Sequence, residues 1–191
     1  LAIPIRRGQK APLWVQWQLP QTTYEDRGGI YPPAENYDAQ GCGVGFRCGV
    51  DLGDGTCFLG VDVDVRDSVL AAKVGEMLAG KLGITRAKMY RVGQAPKRLY
   101  PIRVSVTGLG PSGGKQFKPI SMGHLSGHAG DKVEMMYRGK QFVVWGEHPS
   151  GVNYSWFIHG SNQPCCDNET VFEMLKDLDV TPMNMLGWGE H

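Results

Sequence analysis

The 191-residue chain has no apolar run approaching the roughly 20 residues that a membrane-spanning helix needs. Its opening segment, LAIPIRRGQKAP, lacks an apolar stretch of signal-peptide length. It has no C-x-x-C pair. The five cysteines, Cys42, Cys48, Cys57, Cys165 and Cys166, are odd in number and scattered, which argues against a disulfide framework and a locally encoded zinc site. They are expected as small, reduced, buried hydrophobes in a cytoplasmic setting. No G-x-y period is present, and with 41% apolar and 20% charged residues the chain is neither collagen-like nor disordered. Net charge is also scarce: 20 Lys and Arg stand against 19 Asp and Glu, a formal +1. Taken alone, that total argues against a nucleic-acid-binding domain, which is ordinarily basic.

What is abundant is glycine, 27 residues, about twice the usual ~7%. Many short elements are therefore expected rather than a helical bundle. The length fits one domain spanning 1–191, and a start at Leu1 without an initiator Met suggests a part excised from a longer polypeptide. From Gly41 the pattern reads as short strands, with Gly53-Asp54-Gly55 as a hairpin turn before the buried strand Phe58–Val65. Asp67-Ser68 can cap a helix that carries Val69, Leu70, Val74, Met77, Leu78 and Leu82 and stops at Gly83. Strands are expected over Lys88–Val92 and Leu99–Val106, separated by a Gly-x-x-Pro turn. Thr107–Gly130, about 24 residues rich in Gly, Ser and Pro, reads as a long loop. Lys132–Tyr137 and Lys140–Trp145 read as a hairpin around Arg138-Gly139, Tyr154–His159 as a further strand, and Asn168–Leu178 as a last helix capped by Asn168. The expected class is α+β, with a largely antiparallel sheet flanked by helices.

Asp62-Val63-Asp64 interrupts an apolar strand, and a period of two puts both carboxylates on one face. Two such acids repel each other and lose hydration, so a counter-charge is needed. A divalent cation with hard oxygen ligands supplies one answer; a solvated strand end paired with Arg66 or a Lys supplies the other. Glu134 lies between apolar neighbours in a second strand and presents the same choice. Two acids on one strand and a third on another suit a two-metal phosphoryl-transfer site.

Charge is segregated along the chain. From Gly80 to Gly130 there is no Asp or Glu, yet the stretch carries Lys81, Arg86, Lys88, Arg91, Lys97, Arg98, Arg103, Lys115 and Lys118. Arg suits bidentate phosphate contacts and Lys point-charge contacts, so a nucleoside triphosphate or a nucleic-acid backbone is the natural partner. His148, biased to an extended or turn conformation by Pro149, reads either as a donor to phosphate or as an exposed turn residue.

In order, these segments resemble the primase-polymerase (prim-pol) branch of the archaeo-eukaryotic primase superfamily, in its phage and plasmid replication form, including cyanophage-type members. The likeness runs from Ile3 to Trp156. It rests on Ile3-Pro4 with Gly8-Gln9-Lys10-Ala11-Pro12 and Trp17, the Gly-rich strand Gly41–Gly49, and Leu59-Gly60-Val61-Asp62-Val63-Asp64 as the first motif. It continues through Arg91-x-Gly93-x-Ala95-Pro96-Lys97 with Arg103, Val133-Glu134 as the third motif, Gln141-Phe142-Val143, and Gly146–Trp156. The family's second motif is Ser-x-His. A literal Ser126-Gly127-His128 exists but sits only six positions before Glu134, so Arg91, Lys97 and Arg103 are the alternative holders of the triphosphate.

The resemblance implies an RRM-like primase catalytic core and template-directed nucleotidyl transfer, as a DNA primase and/or DNA polymerase. Asp62, Asp64 and Glu134 would be catalytic and hold two Mg2+ or Mn2+ ions. Arg91, Lys97, Arg98, Arg103, His148 and His128 would bind the nucleotide. The implied partners are DNA template and primer, nucleoside triphosphates and a helicase region in the same polypeptide, with no membrane. A metal-dependent nuclease using the same three acids, and a non-catalytic nucleotide- or DNA-binding replication module, are the other classes compatible with these residues.

Overall fold

A computed structural model describes residues 2–13, 41–81, 89–109, 117–158, 161, 163–165 and 167–182. Expectations placed on Trp14, Trp17, Leu82, Gly83, Arg86, Lys88, Lys115 and Cys166 lie outside these residues. The described chain forms two antiparallel sheets with few helices, the α+β class expected. The smaller sheet has the order β1-β2-β8, from Ala2–Ile5, Gly43–Arg47 and Gln141–Trp145. The larger has the order β6-β7-β3-β5-β4-β9, from Ile120–Ser121, Lys132–Met136, Thr56–Asp64, Arg98–Ser105, Met89–Val92 and Ser155–Ile158. Three helices accompany them, α1 (Ser68–Lys81), α2 (Gly123–Ser126) and α3 (Asn168–Lys176). Among the described residues no helix is long and apolar enough to cross a membrane.

β3 is the central element because both of its faces are needed. Cys57, Leu59, Val61 and Val63 point one way and are fully buried. α1 covers this side with Ala71, Val74 and Leu78, while Val69 and Met77 on its other flank are exposed. Gly75 lets the helix come down onto the sheet: a Cβ there would fall on the hydroxyl of Tyr100, the β5 partner of Val61. α1 begins where expected, with the Asp67 carboxylate accepting the Leu70 N–H at 2.7 Å. The other side of β3, bearing Phe58, Gly60, Asp62 and Asp64, meets the smaller sheet. Phe46 stacks on Phe58 at 5.8 Å between centroids, and Phe142 lies over Gly60.

Two expected hairpins open into corners between sheets. Gly53-Asp54-Gly55 turns as expected, with the Asp51 carboxylate accepting the N–H groups of Gly53 and Gly55 at 2.8 and 3.1 Å. The arms next to it pair briefly, Leu52 N–H on the Thr56 carbonyl at 2.8 Å and Gly49 N–H on that of Phe58 at 2.9 Å, but beyond them β2 goes to the smaller sheet and β3 to the larger. The turn at Arg138-Gly139 closes with the Lys140 N–H on the Tyr137 carbonyl at 2.9 Å, and again β7 and β8 part to different sheets. A turn signal fixes the reversal of the chain, whereas pairing depends on which faces are apolar. The expected long loop after Thr107 also contains structure, namely a 3-10 turn at Val106–Leu109, β6 and α2. The cap of α3 is Asp167, one residue before the expected Asn168; its carboxylate accepts the Thr170 N–H at 2.7 Å.

An ion pair ties the end of β3 to the start of β7. Asp131, 3% exposed, accepts the Arg66 backbone N–H at 3.0 Å and its Nε–H at 2.8 Å. Burial opposes ionisation of Asp131, but the Arg66 bonds and the Ser126 hydroxyl outweigh it and bring the carboxyl from 3.8 down to about 2. A depressed acid stabilises the fold above its unfolded value, and that contribution is lost as pH falls from about 4 towards 2. Urea midpoints should therefore drop over this window in the wild type. Asp131→Asn should be less stable at pH 7 and show a shallower acid decline.

Candidate functional site

The strand register builds the site in one row across the larger sheet. Glu134 on β7 stands opposite Asp62 on β3, which stands opposite Leu99 on β5. Leu99 stands opposite Arg91 on β4, and Arg91 opposite Trp156 on β9. Directly opposed residues share a face, so both Asp62 and Glu134 carboxyls emerge on the side of the smaller sheet. Asp64, two residues further, joins them, opposite Lys132.

Each end of the acidic row is met by ammonium groups. Lys97 Nζ lies 2.7 Å from Asp64 Oδ1, Lys132 Nζ lies 2.6 Å from Glu134 Oε2, and Lys140 contacts the other Glu134 oxygen. Asp62, between them, makes no ion pair among the described residues. Burial pushes its carboxyl up; Arg91, Lys10 and Lys132 pull against that, while Asp64 adds to it.

Arg91 locks the two sheets together. It is 8% exposed, donates Nη1–H to the Val143 carbonyl and lies 4.3 Å above the Tyr154 ring. Trp156 Nε1–H donates to the next carbonyl, Val144, at 2.7 Å. Two consecutive β8 carbonyls thus accept from side chains of the larger sheet. His148, 6% exposed, accepts the Ser150 N–H on Nδ1 at 3.1 Å, which assigns the proton of the neutral ring to Nε2. Burial, then Lys10, Arg91 and Lys97, hold its pKa below the usual 6.5, so the ring is a neutral donor at pH 7.

These groups line an open, shallow cleft. Its walls carry Lys10, Arg91, Lys97 and Arg98 against Asp62 and Asp64, with His148, Tyr154, Gly93 and Gln94 between. Two buried polar groups of residues that line it, Arg91 Nε and the Tyr154 hydroxyl, have no hydrogen-bond partner among the described residues. Such groups are costly unless something binds there. Lys10 arrives from the smaller sheet, its carbonyl held by Gln141 Nε2 at 2.7 Å, while neighbouring Arg7 pairs with Glu147 at 2.9 Å.

The structure thus brings together Asp62, Asp64, Arg91, Lys97, Arg98 and His148, with Glu134 next to them in the row. Arg98 also lays its guanidinium over the Tyr90 ring at 4.8 Å. Two expected nucleotide-binding residues stand elsewhere. Arg103 is at the far end of the β3–β5 pair, where it bonds Thr56 Oγ1 at 2.9 Å, the Asp54 carboxylate and the Lys176 carbonyl, fastening α3. His128 is exposed in the turn after α2 and does not line the cleft. Its Ser-x-His pattern is explained by helix termination: Gly127 takes the left-handed cap at φ 72°, and Ser126 Oγ accepts the His128 N–H at 3.2 Å.

Lys10 and Tyr154 were assigned no role by sequence reasoning, although both fall in segments of the family likeness. Nothing in local spacing signals that they meet β3; only the docking of the two sheets does.

The three carboxylates are hard oxygen donors of the kind Mg2+ and Mn2+ take, so the donor set fits such an ion chemically. As they stand, no three acidic, His or Cys side chains among the described residues converge on one point, with Asp64 and Glu134 drawn to their lysines. Set against family models and against curated proteins, the chain matches none.

Proposed function

We propose that this chain is a template-directed nucleotidyltransferase of the prim-pol type, a DNA primase and/or DNA polymerase built on an RRM-like primase core, acting in phage or plasmid replication. The observation that carries the proposal is the adjacency of an acidic row, Asp62, Asp64 and Glu134, to a cleft lined by four cationic side chains. In this reading Asp62, Asp64 and Glu134 hold two Mg2+ or Mn2+ ions. When bound, the ions supply activation of the attacking hydroxyl and charge neutralisation at the leaving pyrophosphate. Arg91, Lys97 and Lys10 attract the triphosphate, and His148 offers it a neutral Nε2–H. DNA template and primer and nucleoside triphosphates are the partners, with a helicase region as a companion in the same polypeptide.

The test is incubation of the protein with single-stranded template, Mg2+ or Mn2+, and ribo- or deoxynucleotides, with and without primer. Extension or de novo synthesis is expected, and Asp64→Ala should abolish it while leaving the fold intact. Full activity in that variant would refute the site. Cleavage of labelled DNA in a lane without nucleotides would identify a nuclease instead.

A second expectation follows from Gly93. A Cβ at this position would lie 2.7 Å from His148 Cδ2 and against the Tyr154 ring. Forcing rings apart costs about 1–3 kcal/mol, so Gly93→Ala should weaken nucleotide binding about tenfold. Fluorescence anisotropy with a labelled nucleotide measures it.

A further inference from the structure

We propose that Lys97, with Lys132 and Lys140, is a resident counter-ion of the acidic row that an incoming divalent cation displaces, so that the site carries its own competitor for metal. This rests on the assignment of Asp62, Asp64 and Glu134 as cation ligands. Three carboxylates on one face of two neighbouring strands repel one another unless positive charge stands between them. The protein supplies that charge itself, through Lys97 on Asp64 at 2.7 Å and Lys132 on Glu134 at 2.6 Å, with Lys140 on the second Glu134 oxygen.

An ammonium and a divalent ion cannot occupy the same carboxylate oxygens, so the two exchange. The Asp64–Lys97 pair suits exchange, since both side chains are 35% exposed and pairs of that kind hold weakly. A ligand is independently indicated in the same cleft by the Tyr154 hydroxyl. Tyr154 is 7% exposed, lines the cleft and leaves its hydroxyl without a hydrogen-bond partner among the described residues. Once released, the Lys97 ammonium remains in the cleft beside Arg91 and His148, where a phosphate oxygen is its next partner. Free cation must therefore break an existing ion pair, whereas a cation arriving with a triphosphate brings the displaced lysine a replacement.

The experiment is calorimetric titration of the intact chain with Mn2+ alone, in the wild type, Lys97→Met, Lys97→Arg and Lys10→Met. Removing the competitor should tighten Mn2+ binding about threefold in Lys97→Met. Lys97→Arg, which keeps charge and pairing, should stay at the wild-type value. Lys10→Met removes a cleft charge that has no ion pair among the described residues, and should gain less than Lys97→Met. Mn2+ binding that is no tighter in Lys97→Met, or as much tighter in Lys10→Met, overturns displacement and leaves the metal assignment standing. Failure of every protein to bind Mn2+ overturns both.

Discussion

Asp62→Asn should abolish nucleotide incorporation and at the same time make the protein harder to unfold. The two effects have one cause. Asp62 sits at the centre of the acidic row and makes no ion pair among the described residues, and burial pushes its carboxyl above the ordinary 3.8. A carboxyl raised in the folded state disfavours folding once pH passes the unfolded value, and the penalty is complete above the folded one. Asparagine has nearly the same shape and no charge, so the penalty disappears. The gain in melting temperature should be present at pH 7 and vanish in acid below about pH 4, where both forms are neutral. The loss of activity should be about a thousandfold or more, because metal ligation accounts for several kcal/mol of charge stabilisation and each 1.4 kcal/mol is about tenfold. Primer extension and thermal melts at pH 7 and pH 3.5 test both halves. A destabilised Asp62→Asn would contradict the electrostatics; an active one would contradict the site.

Arg91→Met should be the most damaging single change to stability. It removes the donor to the Val143 carbonyl, the cation over Tyr154 and the positive charge facing Asp62. Leaving the buried Val143 carbonyl without its donor costs about 1–3 kcal/mol, and the loss of the charge facing Asp62 adds to it. Adding Asp62→Asn to Arg91→Met should recover part of that loss, since the uncompensated acid is then gone. Denaturant titration of the two single variants and the double variant measures the coupling. Simple additivity would mean that the guanidinium acts through packing and its carbonyl bond alone.

Local physics was largely legible in the sequence. Alternation in Phe58–Asp64 correctly separates a buried face from one bearing both aspartates, and Asp67 caps α1 as its chemistry requires. The acid-free stretch from Gly80 to Gly130 supplies Arg91, Lys97 and Arg98 to the cleft. The failures are all of tertiary origin. The glycine turns at residues 53–55 and 139 signal reversal in the same way whether the flanking strands pair or diverge. Arg103 is as basic as Arg91, but its place along β5 puts it beside Asp54 and α3 instead of the cleft. Ser126-Gly127-His128 carries the letters of a family motif while capping a short helix. Lys10 lies more than fifty residues from Asp62 in the chain, and only the packing of one sheet on the other joins them.

The divergence of successive strands also sets the timing of assembly during synthesis. β1 and β2 emerge from the ribosome before β8, their sheet's third strand and the owner of the carbonyls that Arg91 and Trp156 need. At ribosomal speeds of 5–20 residues per second, the roughly hundred residues between β2 and β8 take about 5–20 s to appear. Over that interval the edge of β2 that will pair with β8 has no native partner. An unpaired strand edge of that kind is a template for wrong pairing until the strand that completes the cleft arrives.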